Sequence, residues 1–177
     1  MGDISLPEKA VIFCGVLYNR VFQKDDIENI LRKYFGNIIL RSEIFEFTET
    51  SYYNDEMGKP IFRVYYAFDH LIDMDRIVEC KILGNWIENE YFLYDNGKRA
   101  VNIDPGYLNL AKVVLATTKN FQHRIYLRNG IYSEVTLRWR RGSFSEWEWT
   151  YKDYKREESI RFFNELRNLY RSMIELK

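Results

Sequence analysis

The chain has few of the residues that mark secreted or metal-binding proteins. Its 177 residues include two cysteines, Cys14 and Cys80, and two histidines, His70 and His123. Two distant cysteines in apolar stretches do not form a disulfide framework, and buried thiols are typical of the reducing cytosol. These four residues also lack the spacing of metal ligands, so we predict no metal site from them.

The chain also lacks a long apolar run and an excess of either charge. No apolar stretch approaches the roughly 18–20 residues that a membrane-spanning helix requires, and the first residues do not resemble a secretory signal. Basic and acidic residues number 26 each, so the formal net charge is zero. Overall charge therefore gives no reason to expect a membrane or nucleic-acid partner. We predict a soluble, cytoplasmic protein that does not bind a membrane.

The residues that are present have the composition of one folded domain. Hydrophobic residues make up 46% of the chain and aromatic residues 17%. The length suits a single hydrophobic core, and the chain has no internal repeat or obvious linker. We therefore predict a single α+β domain over residues 1–177.

Residues 1–103 predict a ferredoxin-like core. Periodic apolar residues between Asp25, a suitable N-cap, and Gly36, a suitable C-terminal stop, indicate a helix. A second helix follows Asp73. In chain order, the predicted elements are a strand at 10–17, a helix at 25–35, strands at 37–47 and 61–68, a helix at 74–91 and a strand that starts at 99–103. This βαββαβ order places both helices on one face of a four-stranded antiparallel sheet.

The rest of the chain predicts a turn, a β-hairpin and a docked helix. The sequence Asp104-Pro105-Gly106 is typical of a turn, whereas residues 112–117 suit a strand and a short helix equally. Residues 121–142 indicate a C-terminal β-hairpin, and a helix from about residue 153 to residue 176 packs against the core.

The register of the hairpin follows from sorting polar and apolar side chains onto opposite faces. A three-residue loop at 128–130, with Gly130 in the left-handed region, sorts them best. This register places His123 on the apolar face. It predicts the pairs Leu127–Ile131, Tyr126–Tyr132, Ile125–Ser133, Arg124–Glu134 and His123–Val135.

Several stretches of the sequence together resemble those of a known protein family. They are VNIDPGYLNLAKVVLATTK, HRIYLRNGIYSEVTLRWRRG and EWTYKDY in the second half, and VIFCGVLYN, SEIFEFTETSYYNDEMG and KILGNWIE in the first. The chain thereby resembles the uncharacterised bacterial family known as domain of unknown function 4416. The resemblance implies a bacterial protein and supplies no activity, cofactor or catalytic residue. The chain has neither a GxxxxGK[ST] phosphate loop nor a GxSxG nucleophile elbow.

A basic segment at 119–141 is the strongest local signal of function. Six basic residues and one acid, Glu134, give it a local charge of +5, and tyrosines lie between them. Basic groups beside aromatic rings bind phosphates and stack against bases. We predict a binding module for a phosphorylated small molecule, a nucleotide or RNA. The candidate ligand-binding residues are Asp104, Tyr107, Lys119, His123, Arg124, Tyr126, Tyr132 and Glu134.

Other interpretations of the same residues stay open. The basic segment suits a solvated hairpin, or a surface that faces the acidic segment 43–56. Asp104, His123 and Glu134 suit a small enzyme that uses them as acid/base or metal-binding groups, in which case the two carboxylates lie in one pocket. A structural or oligomer-forming protein is a third interpretation. Aromatic residues at 51–58 and 146–154 suit either a ligand pocket or the cover of the core.

Overall fold

A computed structural model describes residues 2–175 and confirms the α+β class. Within these residues, nine strands form one antiparallel sheet in the order β2-β4-β1-β5-β6-β8-β7, with β3 paired to β4 and β9 paired to β8. The strands are β1 (Ala10–Asn19), β2 (Ile38–Arg41), β3 (Phe45–Glu46), β4 (Ile61–Ile72), β5 (Val101–Leu108), β6 (Lys112–Thr117), β7 (Ile125–Arg128), β8 (Ile131–Arg140) and β9 (Ser143–Glu146). The helices are α1 (Lys24–Phe35), α2 (Asn54–Met57), α3 (Ile77–Tyr91) and α4 (Glu157–Glu175).

The three predicted helices are present, but they begin at residues other than the predicted ones. Gln23, not Asp25, occupies the N-cap of α1, and Asp25 lies in the first turn, where a carboxylate favours the helix dipole. Single 3₁₀ turns, Met74–Arg76 and Lys152–Lys155, precede α3 and α4. The predicted end of the last helix at residue 176 lies outside the described residues. Residues 112–117 form a strand.

The sheet is covered on both faces. Alternate residues of β1, including Ile12 and Val16, pack against α1 and α3, and the intervening ones, including Phe13, pack against α4. This double cover explains why β1 is a continuous apolar run and buried along its whole length. No helix within residues 2–175 combines the length and the apolarity needed to cross a membrane.

The Asp104-Pro105-Gly106 sequence forms part of β5, so the predicted turn is wrong. Gly106 lies beside Phe13 of β1, where a Cβ atom would come within 2.4 Å of the Phe13 ring and 2.6 Å of the Val114 carbonyl oxygen. The glycine therefore allows a close approach of two strands, as glycines within sheets often do. Close packing overrides the local turn preference of Pro-Gly.

Strands β5 and β6 pair over only three residues. Gly106, Tyr107 and Leu108 pair with β6, whereas residues 101–105 pair with β1 alone. Pro105 suits the point of separation because it has no N–H for a neighbouring strand to accept. The two strands diverge from this point and leave a gap in the sheet.

Side chains of α3 bind the free backbone edge of β5. The Glu88 carboxylate accepts a hydrogen bond from the Ile103 N–H (2.6 Å), and the Lys81 ammonium donates to the Ile103 carbonyl oxygen (2.9 Å). Buried peptide groups need such partners. Close packing here also explains Gly84 inside α3, since a Cβ atom would lie 3.3 Å from the Pro105 ring.

Away from its turn, the hairpin has the predicted register. Its loop is one residue shorter than the predicted three-residue loop. The pairs Ile125–Ser133 and Tyr126–Tyr132 are confirmed, but Arg128 pairs with Ile131. The loop is therefore Asn129-Gly130, with φ angles of 53° and 75° that favour a two-residue turn. An irregularity between Tyr126 and Arg128 accommodates the extra residue.

The faces of the hairpin differ from the prediction. Strand β7 begins at Ile125, so His123 is not paired with Val135 in the sheet. Ile125 is 70% exposed, because β7 is the edge strand of the sheet. Glu134, assigned to the polar face, is buried.

We expect Gly106→Ala to destabilise the fold by about 1–3 kcal/mol, the usual cost of an extra group in a packed core. The new methyl group would meet the Val114 backbone as well as Phe13. Urea denaturation would measure the change. Gly84→Ala is the matched comparison, because the helix preference for alanine, about 1 kcal/mol, offsets a milder contact. Equal stability of the Gly106 variant and the wild type would contradict this account.

Candidate functional site

The gap between β5 and β6 opens into a cavity of about 710 Å³. Its walls come from both sides of the sheet: α3 on one side, and the loops at 47–53 and 149–154 on the other. Ten charged residues line it, five basic and five acidic. They are Arg63, Lys81, Arg99, Lys119, Lys152, Glu49, Glu88, Asp104, Glu134 and Asp153.

Arg63 and Asp153 form an ion pair in the wall of this cavity. Their side chains are only 5% and 4% exposed, and the Arg63 Nη2 to Asp153 Oδ2 distance is 2.8 Å. Burial opposes the charge of Arg63, but Asp153 holds the pKa of the guanidinium above its usual value. Arg63 Nε and Nη1 have no hydrogen-bond partner among residues 2–175. The buried guanidinium therefore has unused donors.

Gly15 of β1 makes room for this guanidinium. A Cβ atom at Gly15 would lie 2.8 Å from the Tyr154 hydroxyl oxygen and 3.1 Å from Arg63 Nη1. The Tyr154 hydroxyl also has no hydrogen-bond partner within the described chain. Two polar groups that lack a partner among residues 2–175 thus lie close to the backbone of Gly15.

Asp104 is held between two donors. Lys81 Nζ donates to Asp104 Oδ1 at 3.0 Å, and Asn102 Nδ2 donates to Oδ2 at 2.6 Å. Burial acts to raise the pKa of Asp104, but Lys81 and Arg63 lower it below the ordinary value. The side chain stays ionised and remains 27% exposed.

Glu88 links the cavity to a further arginine. Its carboxylate contacts Arg99 Nη1 at 2.5 Å, and Arg99 also binds Glu56 of α2. Burial raises the pKa of Glu88, although Lys81 acts in the opposite direction. These contacts fix α2 and its flanking loop beside α3.

The mouth of the cavity carries two exposed lysines, Lys119 and Lys152. Lys119 Nζ lies 4.1 Å from the centre of the Tyr52 ring, a cation–π contact that joins the two rims. Neither Lys119 nor Lys152 forms a salt bridge with another described residue. Burial raises the pKa of the neighbouring Tyr53 hydroxyl, which therefore stays protonated.

Only three of the predicted site residues line the cavity: Asp104, Lys119 and Glu134. The enzyme interpretation requires the Asp104 and Glu134 carboxylates to lie in one pocket, and both line this cavity. Tyr107 does not line the cavity and belongs to a buried hydrophobic cluster that includes Ile77 of α3. Tyr126 and Tyr132 pack edge to face on the hairpin, away from the cavity.

His123 and Arg124 lie behind Glu134. The Glu134 Oε2 atom is 3.1 Å from His123 Nε2 and 2.8 Å from Arg124 Nε. The loop before β7 turns His123 toward this carboxylate, so the predicted placement of His123 on the apolar face is wrong. The other ring nitrogen, Nδ1, is buried without a partner among the described residues.

Aromatic residues of the segment 146–154 form part of this arrangement. Trp149 stacks against His123 at 5.2 Å and against Trp147 at 5.1 Å between ring centres, and Arg138 lies over the Trp147 ring. Tyr154 is buried beside Tyr65. The segment thus covers the core and also borders the cavity.

The basic segment 119–141 does not pair with the acidic segment 43–56. Across residues 2–175, none of the ion pairs joins these two segments. The acids of 43–56 bind Arg99, Arg156 and Arg161, whereas arginines of the basic segment bind Glu134 and Glu79. The Lys119–Tyr52 contact links the two segments without an ion pair.

Several cavity residues were not predicted from the sequence, although a signal exists. Arg63 interrupts the apolar strand IFRVYYAF, and Lys81 and Glu88 occupy helix positions in phase with the buried Ile77 and Gly84. Charged residues at buried periodic positions need partners or a function. Asp153 lies next to a buried tyrosine in a 3₁₀ turn and has no comparable pattern.

The comparisons with known proteins define a family. The model of the family described as Domain of unknown function (DUF4416) matches residues 8–170. The chain belongs to this family. No curated protein and no solved structure matches the chain. The matched range includes every residue that lines the cavity.

The chain offers no ready-made metal cluster in its described part. Within residues 2–175, no group of three or more His, Cys, Asp or Glu side chains is arranged to hold a metal ion. Asp104 and Glu134 instead have basic and amide partners. Their present contacts are ion pairs with Lys81 and Arg124 and a hydrogen bond from Asn102.

We expect Asp153→Asn to destabilise the protein by about 3–5 kcal/mol, because it leaves a buried guanidinium without its counter-ion. The double variant Arg63→Met/Asp153→Leu should lose much less, since it removes both charges. Urea denaturation of the three proteins measures this difference. If the single variant is no less stable than the double variant, the pair is not a buried ion pair in solution.

Proposed function

We propose that the cavity between β5 and β6 binds a phosphorylated small molecule. The observation that carries this proposal is the buried Arg63, which lines the cavity and has two nitrogen atoms without hydrogen-bond partners among the described residues. Arginine is well suited to phosphate because its planar donors match the phosphate oxygens. Lys119 and Lys152 add two charges at the mouth.

The concentration of ion pairs around one cavity supports a functional role. Buried ion pairs contribute little net stability, because desolvation offsets their attraction. The Arg63–Asp153, Lys81–Asp104 and Arg99–Glu88 pairs nevertheless all border the same space. Charged groups gathered in a cleft are typical of binding and catalytic sites. The volume also falls within the usual range for small-molecule sites.

RNA is less well supported as the ligand. Arg124 and Arg128 bind Glu134 and Glu79, and Arg138 lies over the Trp147 ring. Tyr126 and Tyr132 pack edge to face against each other. Three of the arginines that would bind a polynucleotide on the hairpin are therefore engaged within the protein.

Catalysis is the second candidate, because Asp104 and Glu134 line one cavity. The present contacts argue for a weaker role. Lys81 and Asn102 bind Asp104, and His123 and Arg124 bind Glu134. An efficient general base has a pKa near the operating pH. Burial acts to raise the pKa of Asp104, but Lys81 and Arg63 lower it below its ordinary value, so the carboxylate is a weak base.

Three broader proposals concern the fold, the location and the origin of the protein. The strand order β2-β4-β1-β5, together with α1 and α3, supports a ferredoxin-like unit to which β6–β9 are added. The free thiols of Cys14 and Cys80 support a cytoplasmic location. The family resemblance supports a bacterial origin.

We expect inorganic pyrophosphate to bind saturably and to change the fluorescence of Trp149, which borders the cavity. Lys119→Ala/Lys152→Ala should weaken binding at least about tenfold, since each lysine contributes a charge-assisted contact. Arg140→Ala is the matched control, because this exposed residue of the basic segment does not line the cavity. Binding should weaken as salt is raised.

Failure of the wild type to bind pyrophosphate would overturn the proposal. An equal loss in Arg140→Ala would also overturn it, because the anion would then recognise general surface charge. Titration with a single-stranded RNA oligonucleotide tests the other ligand class. Tighter RNA binding that depends on Arg140 and not on Lys119 would transfer the function to the hairpin surface.

Incubation with a panel of phosphate monoesters distinguishes binding from catalysis. For a binding module we expect no release of inorganic phosphate above the background rate. Turnover by the wild type that Asp104→Asn abolishes, and that Arg140→Ala retains, would replace the binding proposal with an enzyme. A colorimetric phosphate assay provides the measurement.

A further inference from the structure

We propose that the ligand is a sugar phosphate whose adjacent hydroxyl groups donate hydrogen bonds to Asp104. This inference rests on the proposed function of the cavity and names the class of its ligand. It depends on the contacts that Asp104 already makes and on those that it leaves open. Carboxylates commonly bind sugar hydroxyls in this way.

The Asp104 carboxylate has acceptor capacity that no residue in the described range 2–175 uses. An ionised carboxylate offers about four lone-pair positions on its two oxygens. Lys81 occupies one position on Oδ1, and Asn102 occupies one on Oδ2. Each oxygen therefore keeps one free position, and the side chain is 27% exposed where it borders the cavity. Two free positions on neighbouring oxygens suit two neighbouring donors.

The charges around Asp104 favour neutral donors over a cation. Lys81 Nζ is 3.0 Å from the carboxylate, and the buried Arg63 also stabilises its charge. A ligand ammonium group would be close to both positive groups and would be repelled by them. Hydroxyl groups donate hydrogen bonds without adding charge, so they avoid this repulsion.

The neighbouring wall carries amides that suit hydroxyl groups. Asn85 and Asn89 line the cavity one helical turn apart on α3, and neither forms a side-chain hydrogen bond within the described residues. Each amide can donate and accept, as a hydroxyl group does. Asn102 uses its Nδ2 for Asp104, and its carbonyl oxygen makes no protein contact of this kind in the described chain. A polyhydroxylated ligand would satisfy these groups together.

Aromatic contacts make a nucleobase a weaker source of the two donors. Trp149 already stacks against His123 and Trp147, and Lys119 lies over the Tyr52 ring. Base recognition usually includes stacking on an aromatic face. Tyr151, another tyrosine of the lining, has its hydroxyl group held by Arg124. With the Trp149 and Tyr52 rings engaged, the sugar is the better partner for Asp104.

A comparison of two sugar phosphates tests the inference with the unmodified protein. Isothermal titration should show that ribose 5-phosphate binds about 10- to 100-fold more tightly than 2-deoxyribose 5-phosphate, which lacks one of the adjacent hydroxyls. 2′-Deoxyguanosine 5′-monophosphate keeps a pair of neighbouring base N–H groups but not the diol. It should bind no more tightly than 2-deoxyribose 5-phosphate.

The variant Asp104→Asn should remove the preference for ribose 5-phosphate while retaining pyrophosphate binding. Its effect and that of the missing hydroxyl should not add, because both remove the same contact. Asn85→Ala, which leaves the Lys81–Asp104 pair intact, is the second variant. It should weaken ribose 5-phosphate binding and leave pyrophosphate binding unchanged, so the test does not depend on the folding of Asp104→Asn.

The outcomes separate the two proposals. Equal affinity of the wild type for both sugar phosphates, or tighter binding of the deoxyguanosine nucleotide, would overturn the hydroxyl inference. Pyrophosphate binding without any binding of ribose 5-phosphate would overturn it as well, and would leave the proposed function in place. Absence of pyrophosphate binding would overturn the proposed function itself.

Discussion

Two hydrogen bonds to the backbone of Ile103 underlie the organisation of this protein. Glu88 and Lys81 of α3 bind its N–H and carbonyl groups, in the place where a neighbouring strand would otherwise pair. A buried strand edge without such partners would be costly. Because α3 provides them, β6 is free to separate from β5. The cavity exists because side chains replace a strand along this edge.

The replacement of a neighbouring strand by side chains of α3 also determines the chemistry of the cavity. Groups that bind a backbone edge must be polar, and Lys81 and Glu88 bring charge into a buried space. Their charges then require partners, which Asp104 and Arg99 provide. The cavity is therefore rich in charge and close to neutral, and its specificity depends on which donors and acceptors remain unused.

Local patterns predicted the elements of the fold better than the site. Apolar periodicity located α1, α3 and β1, because each buries one face or both. The Pro105-Gly106 sequence was misassigned, since its role depends on contact with Phe13, which lies far away in the chain. Asp104, Lys119 and Glu134 were identified because their side chains can bind a ligand or act as acids and bases. Arg63 of β4 and Lys81 of α3 were missed because only the packing of distant elements brings them to one cavity.

The three-residue junction between β5 and β6 also has a mechanical consequence. The sheet consists of two panels, one from β2 to β5 and one from β6 to β9, joined along a short seam. Helix α4 packs across both panels, touching Phe13 and Tyr65 on one and Leu137 and Phe144 on the other. It therefore connects the two panels on one face of the sheet. A molecule held between the panels would brace the same joint from within.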